Sequence, residues 1–249
     1  MRLYYGDLHI HTVLSPCAEY LMVPTLIVER ALERGIDFIA ITDHNSMENV
    51  EAVMQAAKGT GLTVLPGMEV ETREEVHVIA LFETAPAARC WQEVVHAHLP
   101  DLPNDEAVFG AQLVVNADDE LVRREERRLL LACDLSVDQV FAKVSNLGGF
   151  CIPAHVDRPS YSLLGTLGFI PPGLDVPAVE VSRNVKSKEA EAARKQLGIG
   201  ERVVVQSSDA HVLDDIGAVR TGYELGELTL SEVILACRGQ GGRRVHWAS

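Results

Sequence analysis

Apolar runs of strand length alternate with helical stretches along the first third of the chain. Leu3 to His9 reads as an opening strand. Pro24 to Leu32 reads as a helix, since proline fits an early helical position and Gly35 fits the stop. Ile36 to Ile41 is an apolar run of strand length. Met47 to Lys58 is a second helical stretch, closed by Gly59 and Gly61. Leu62 to Pro66 and Val76 to Phe82 complete this region as a third and a fourth strand.

Past Phe82 the pattern loosens. Pro86 to His98 fits a helix, Pro100 to Asp105 a loop, and Gln112 to Asn116 a strand or hairpin arm with Asp118 and Asp119 at a turn. Glu120 to Leu131 reads as a charged helix. Ser136 caps another helix, ending at Gly148 and Gly149. Residues 86–135 are read as an insertion or excursion from the regular alternation. Regularity then returns with strands at Phe150 to Pro153, Ala178 to Val181 and Arg202 to Gln206. A helix from Ser187 to Leu197, one from Thr229, and a short strand from Arg243 to Trp247 complete the chain.

Strands alternating with helices define an α/β protein and imply a parallel sheet. In such folds ligand sites gather at the carboxyl ends of the strands. The histidines and acids concentrate there. His9 and His11 leave the first strand, Asp43 and His44 the second, and Glu69 the third. His155 leaves a later strand, and Asp209 with His211 the last long one. His77 is the exception: it opens its strand, and a bend or irregular strand is needed to bring it in. The pair His9-x-His11 likewise needs a bent or twisted strand end to serve one centre.

Taken singly, each feature has an ordinary structural reading: a capped turn at Asp43-His44, a loop acid at Glu69, a helix cap at Asp209. Their conjunction at the ends of separate strands favours a multi-metal site, because imidazole and carboxylate are the ligands of zinc, manganese and iron. Buried together, such groups are costly unless a positive charge sits among them.

Composition changes this picture little. The 249 residues are 47% hydrophobic and 23% charged, ordinary for a soluble globular protein. There is no apolar run of membrane-spanning length, and the start MRLYYGDLHIH lacks a signal-peptide pattern. Cys17, Cys90, Cys133, Cys151 and Cys237 are scattered with no CxxC pair, which argues against a zinc ribbon or disulfide framework and for a reduced, cytoplasmic setting. The net charge of −14 argues against a surface that coats nucleic acid, so no stable nucleic-acid complex is expected. It leaves room for a phosphorylated substrate, because divalent cations reverse the field locally.

The motifs Asp7-Leu8-His9-Ile10-His11-Thr12, Ile41-Thr42-Asp43-His44-Asn45, Pro66-Gly67-Met68-Glu69-Val70, Glu75-Val76-His77-Val78, Pro153-Ala154-His155 and Ser208-Asp209-Ala210-His211 run in order along nearly the whole chain. In this the chain resembles the polymerase-and-histidinol-phosphatase (PHP) family of metal-dependent phosphoesterases. The resemblance implies one domain over 1–249, a distorted (β/α)7 TIM-like barrel of the PHP type with the inserted excursion, holding two or three divalent ions (zinc, manganese or iron). By position, His9, His11, Glu69 and Asp209 correspond to the ligands of a first ion. Glu69 would bridge to a second, with His77 and His155, while His44 and His211 would hold the remaining one. The family commonly adds an aspartate or histidine shortly after the HxH pair. Here Pro16 occupies the usual aspartate position, and Cys17, one residue on, is a candidate thiolate ligand. Glu19 is a second candidate, and a two-metal enzyme is the remaining option. Asp7 and Asp43 are read as partners that orient an imidazole. His96, His98 and His246 match no motif; the first two are read as surface positions and the third as structural.

The chemistry this implies is attack on phosphorus by a metal-bridging hydroxide, with His9, His11, Glu69, Asp209 and His211 around the reacting centre. Arg158 and Arg183 follow barrel strands and are candidates for binding the phosphate. The expected substrate is a small phosphorylated metabolite, a nucleotide or a short oligonucleotide, hydrolysed as monoester or diester. These residues include no polymerase region, so a proofreading role is not expected. Two alternatives stand beside it: an amidohydrolase-like enzyme acting on a non-phosphate bond, and a metal-binding regulatory module without catalysis. The oligomeric state is left open.

Overall fold

The computed structural model describes residues 1–186 and 190–247. Its elements are, in order, β1 (Arg2–Ile10), α1 (Pro24–Glu33), β2 (Phe38–Ile41), α2 (Val50–Ala56), β3 (Thr63–Glu71), β4 (His77–Leu81), α3 (Ala85–His96), α4 (Glu106–Phe109), β5 (Leu113–Val115) and β6 (Leu121–Arg124). They continue with α5 (Val137–Asn146), β7 (Phe150–Pro153), α6 (Leu163–Leu167), β8 (Ala178–Val181), α7 (Ala190–Leu197), β9 (Val203–Gln206), β10 (Thr221–Leu225), α8 (Leu230–Cys237) and β11 (Arg244–His246). The expected helix start at Ser187 lies outside the described residues. Among the described residues no helix is long and apolar enough to cross a membrane.

A seven-stranded sheet runs in the order β11-β10-β1-β2-β3-β4-β7, and β8 pairs with β9 apart from it. The sheet curls into a half-barrel. Val156 donates to Glu180 O at 2.8 Å beside β7, and a parallel bridge from Ile10 to Ala210 ties the end of β1 to the loop after β9. The strands bury both faces in alternation. Leu8, Phe38, Ala40, Leu65 and Ile79 join Tyr223 and the apolar face of α8 in one core. Ile39, Ile41, Val64, Val78 and Ala80 join α1, α2, α3 and α5 in the other, where Trp91 is fully buried. Each such aliphatic or aromatic side chain contributes about 1.5–3 kcal/mol by leaving water.

Two expectations are corrected. The sheet is mixed rather than parallel. β1, β2 and β3 are parallel, but β4 runs antiparallel to both β3 and β7. The reason is the short link between β3 and β4. Thr72 donates to Val76 O and Glu75 to Thr72 O, closing a turn with Glu75 at φ +59, and a parallel crossover needs a far longer connection. His77 therefore pairs with Glu71 at the carboxyl end of β3, so no bend is required to bring it in.

The second correction concerns Glu120 to Leu131, which is not a helix. Asn116 Oδ1 accepts from the N–H groups of Asp118 and Glu120, Asp119 adopts φ +65, and the chain reverses into the β5–β6 hairpin. The charges resembling a helix face are paired otherwise, Arg123 with Glu125 two residues on and Arg124 with Glu106 of α4. This segment packs onto the barrel through Val114 and Leu129 against Leu14. Asn49 fastens it further, donating to Thr12 Oγ1 and Leu113 O and accepting from Val115 N.

Candidate metal centre

The register of β1 against β2 slips between Asp7 and Ile10, a bulge that re-aims the strand end. His9 and His11 consequently converge, with their Nε2 atoms 3.2 Å apart. Glu69, near the end of β3, faces them. Its two oxygens lie within 3.4 Å of His9, His11, His44, His77 and His155, the shortest approach being 2.8 Å from His77 Nδ1. Asp209 Oδ1 stands 3.3 Å from the Nε2 atoms of both His9 and His11. The His211 ring stacks on His11 at 4.2 Å. Glu69 is 1% exposed and His9 and His11 are wholly buried.

These residues fit divalent metal ions. Ligand atoms in His9, His11 and Asp209, in His44, Glu69 and His77, and in His11, His44 and His211 form three groups close enough to share an ion. Ligands about 2.0–2.2 Å from a tetrahedral ion stand roughly 3.3–3.6 Å from one another, close to the 3.2–3.4 Å seen around His9 and His11. His155 Nδ1 is buried without a partner. Nitrogen and oxygen donors of this kind are ordinary ligands of divalent transition-metal ions.

Burial disfavours charge on each of these groups, and the neighbours decide which of them keep it. At His9 burial is outweighed by Glu180, Asp209 and Glu69, and its pKa stands well above the usual imidazole value. At His44 burial is outweighed by Glu69 and Cys17, with the same result. His11 falls well below, through burial and then the adjacent His211 and His44. Burial at Glu69 is overcome by His77, His9 and His44, which hold its carboxyl far below the usual range. Burial at Asp209 is overcome by His9 and His11, with the same outcome.

The supporting residues differ from those expected. Asp7 orients no imidazole. It accepts from Ser208 N at 2.9 Å and Gly217 N at 3.0 Å, fixing the loop that carries Asp209. Asp43 accepts from Thr12 N, Thr12 Oγ1 and Ser15 Oγ, and reaches His11 only through Ser15, whose Oγ lies 3.0 Å from His11 Nδ1. The supporting carboxylate that contacts an imidazole directly, in the role expected of Asp7 and Asp43, is Glu180, which the sequence reading missed. Its Oε1 lies 3.0 Å from His9 Nδ1 and accepts from His155 N at 3.1 Å. The available signal was a charged residue in the otherwise apolar strand Ala178-Val179-Glu180-Val181.

The other candidates fall as follows. Burial raises the Cys17 thiol, but the neighbouring His211 and His44 outweigh it and bring the thiol down to about 7. Glu19 is exposed and touches the site through its backbone, donating to His211 O. A cavity of about 360 Å³ opens over the cluster, with Glu71, Leu130, Arg158 and Tyr161 in its remaining walls. Arg158 donates to Asp209 Oδ2 at 2.6 Å. Arg183 is outside these walls, paired with Asp215 at 2.5 Å. Neither His96 nor His98 is a free surface group. His96 Nε2 lies 3.1 Å from Asn45 O and His98 Nδ1 2.7 Å from Val94 O, both half-buried. His246 lies on β11, exposed and 3.3 Å from Glu224.

A family model described as the PHP domain matches residues 7–196. The uncharacterized protein YqxK of Bacillus subtilis (strain 168) is 25% identical over 98% of this chain and 64% of its own length. The 5'-3' exoribonuclease Rnm of Salmonella typhimurium is 34% identical over 30% of this chain and 26% of its own. Among solved structures, the lesion-specific endonuclease PfuEndoQ from Pyrococcus furiosus shares the fold with a TM-score of 0.70 at 20% identity, covering 98% of this chain and 58% of that one. The chain therefore spans less than two thirds of each of these proteins.

Proposed function

The chain belongs to the PHP domain family, and on that premise we propose that it hydrolyses phosphoester bonds with two or three divalent metal ions. The observation that carries this reading is the single Glu69 carboxylate set among five imidazoles, facing a cavity that Arg158 enters. His9, His11, Glu69 and Asp209 would hold one ion, Glu69 with His77 and His155 a second, and His44, His211 and Cys17 a third. When bound, such ions supply Lewis acidity toward a phosphoryl oxygen and make water more acidic.

The chain's own residues do the rest. Arg158, freed from Asp209, offers its planar fork to the phosphate oxygens. Glu180 keeps the His9 proton on Nδ1, leaving Nε2 open toward the centre. Leu130 and Tyr161 add apolar surface to the cavity wall. A cavity of this size suits a small phosphorylated metabolite, a nucleotide or the end of an oligonucleotide. The nuclease names of two of the similar proteins support phosphoester chemistry. Hydrolysis of an amide or lactone, as in related amidohydrolase barrels, would call for a carboxylated lysine or a different ligand set, and among the described residues no lysine lines the cavity.

The same reading takes 1–249 as one domain with residues 86–135 as an insertion. It takes β1, β2, β3, β4, β7, β8 and β9 as the family's seven-stranded ring. The five free cysteines support a reducing, cytoplasmic setting.

The test is elemental analysis of anaerobically purified protein, alongside hydrolysis of a generic phosphomonoester and phosphodiester. Close to three ions per chain, with activity lost on chelation, supports the full site. Two ions with activity removes Cys17 from the ligand set. Absence of metal and turnover after reconstitution with manganese, zinc and iron sinks the reading.

A further inference from the structure

Beyond His155, the loop after β7 presents two residues to the cavity, and only Arg158 is accounted for by phosphate binding. The other is Tyr161. Its backbone stands at φ +54, a region that a bulky residue rarely occupies, and its side chain is 49% exposed. Its ring lies against His77, with centroids 5.1 Å apart and planes tilted by 34°. The surroundings enforce this placement. Tyr161 O accepts from His77 N at 3.0 Å. Ser162 Oγ donates to Arg158 O at 2.6 Å and accepts from Gly165 N at 3.0 Å, closing the loop onto α6. Gly165 packs so tightly that a Cβ there would stand 2.6 Å from Arg158 O.

A strained conformation held by this many constraints is characteristic of a binding element. An aromatic ring that shares a cavity with the Arg158 guanidinium and the apolar Leu130 is suited to a flat organic group joined to a phosphate. We propose that Tyr161 is a specificity-determining residue, a stacking platform for the alcohol side of the substrate. The preferred esters would then be phosphates of ring-bearing alcohols such as nucleosides. This deepens the phosphoesterase reading and rests on it for the turnover measurement alone.

The experiment compares adenosine 5'-monophosphate with glycerol 3-phosphate in metal-loaded wild type, Tyr161→Ala and Tyr161→Phe, with metal content measured in each as the check on folding. The readout is the ratio of kcat/KM for the two compounds. The ratio should favour the nucleotide in the wild type, fall roughly tenfold or more in Tyr161→Ala, and survive in Tyr161→Phe, which keeps the ring. A ratio that is the same in Tyr161→Ala and wild type, whatever happens to absolute activity, means that Tyr161 only supports His77 and overturns the proposal. If the wild type turns over neither compound, calorimetric Kd values for the same pair replace the rates. A ring preference in binding that Tyr161→Ala abolishes keeps the platform while the phosphoesterase reading falls. Lack of any ring preference in both measurements overturns the platform.

Discussion

Replacing Glu180 should loosen metal binding without touching a metal ligand. Its Oε1 serves two donors, His9 Nδ1 at 3.0 Å and His155 N at 3.1 Å, and Oε2 lies 3.3 Å from His9 Nδ1. Alanine removes both acceptors and leaves two buried N–H groups unpaired, at about 1–3 kcal/mol each. It also frees the His9 ring to carry its proton on Nε2, the atom that faces His11, Glu69 and Asp209. Loss of such an orienting partner costs about 10–100-fold in metal affinity. Glutamine can keep one oxygen toward both donors but sets an amide beside His9 Nδ1, so its effect should lie near the lower bound. Zinc affinity is read by competition with a chromophoric chelator, and the nitrogen of His9 that keeps its proton by nitrogen-edited NMR of the zinc-loaded protein. If Glu180→Ala fails to fold, Glu180→Gln carries the measurement. Wild-type affinity, stoichiometry and tautomer in the variants would refute the assignment.

Three further outcomes are expected. Arg158→Ala should raise KM by roughly tenfold or more, the worth of a charged hydrogen bond to phosphate, with metal content close to wild type; an unchanged KM removes Arg158 from substrate binding. Gly67→Ala should lower stability by about 1–3 kcal/mol, read as a fall in Tm, because the new Cβ would stand 2.8 Å from Thr42 Cγ2 and 3.0 Å from Ile41 O; an unchanged Tm contradicts the packing argument. In metal-free protein, iodoacetamide should label Cys17 increasingly as pH rises through about 7, where its thiol ionises. Cys151, pushed far up by burial, and Cys237, pushed up to about 12 by burial, should stay unlabelled until unfolding, and peptide mapping that finds Cys17 inert at pH 8 would contradict its environment.

Apolar runs such as Ile36 to Ile41 were legible as strands because both of their faces are buried, and the acids and imidazoles just beyond them were legible as a cluster for the same topological reason. Strand direction was less visible. The five residues from Thr72 to Val76 are too few for a crossover, a length signal that outranks the general alternation of strands and helices. In the stretch from Glu120 to Leu131, charge spacing imitates a helix face, while Asn116 and the acids after it commit the chain to a turn. Glu180 escaped because its partner His9 is 171 residues away, and nothing local to β8 names that partner.

The centre is bound into the fold at the points where the backbone departs from regular strand geometry. Asn45, His155 and Asp209 follow β2, β7 and β9, and stand at φ +49, +31 and +50, although none is glycine. Each such residue costs about 1–3 kcal/mol and persists only where its surroundings leave it no alternative. Asn45 is held by Glu69 O and by the carbonyls of Leu129 and Leu131. His155 is held by Glu180, and the loop carrying Asp209 by Asp7 and by His9 O. The constraints cross between strands, so each candidate ligand is positioned by residues that position another. An ion entering this centre would meet side chains already turned toward it, and the energy that holds them there comes from the barrel's hydrogen bonds and packing.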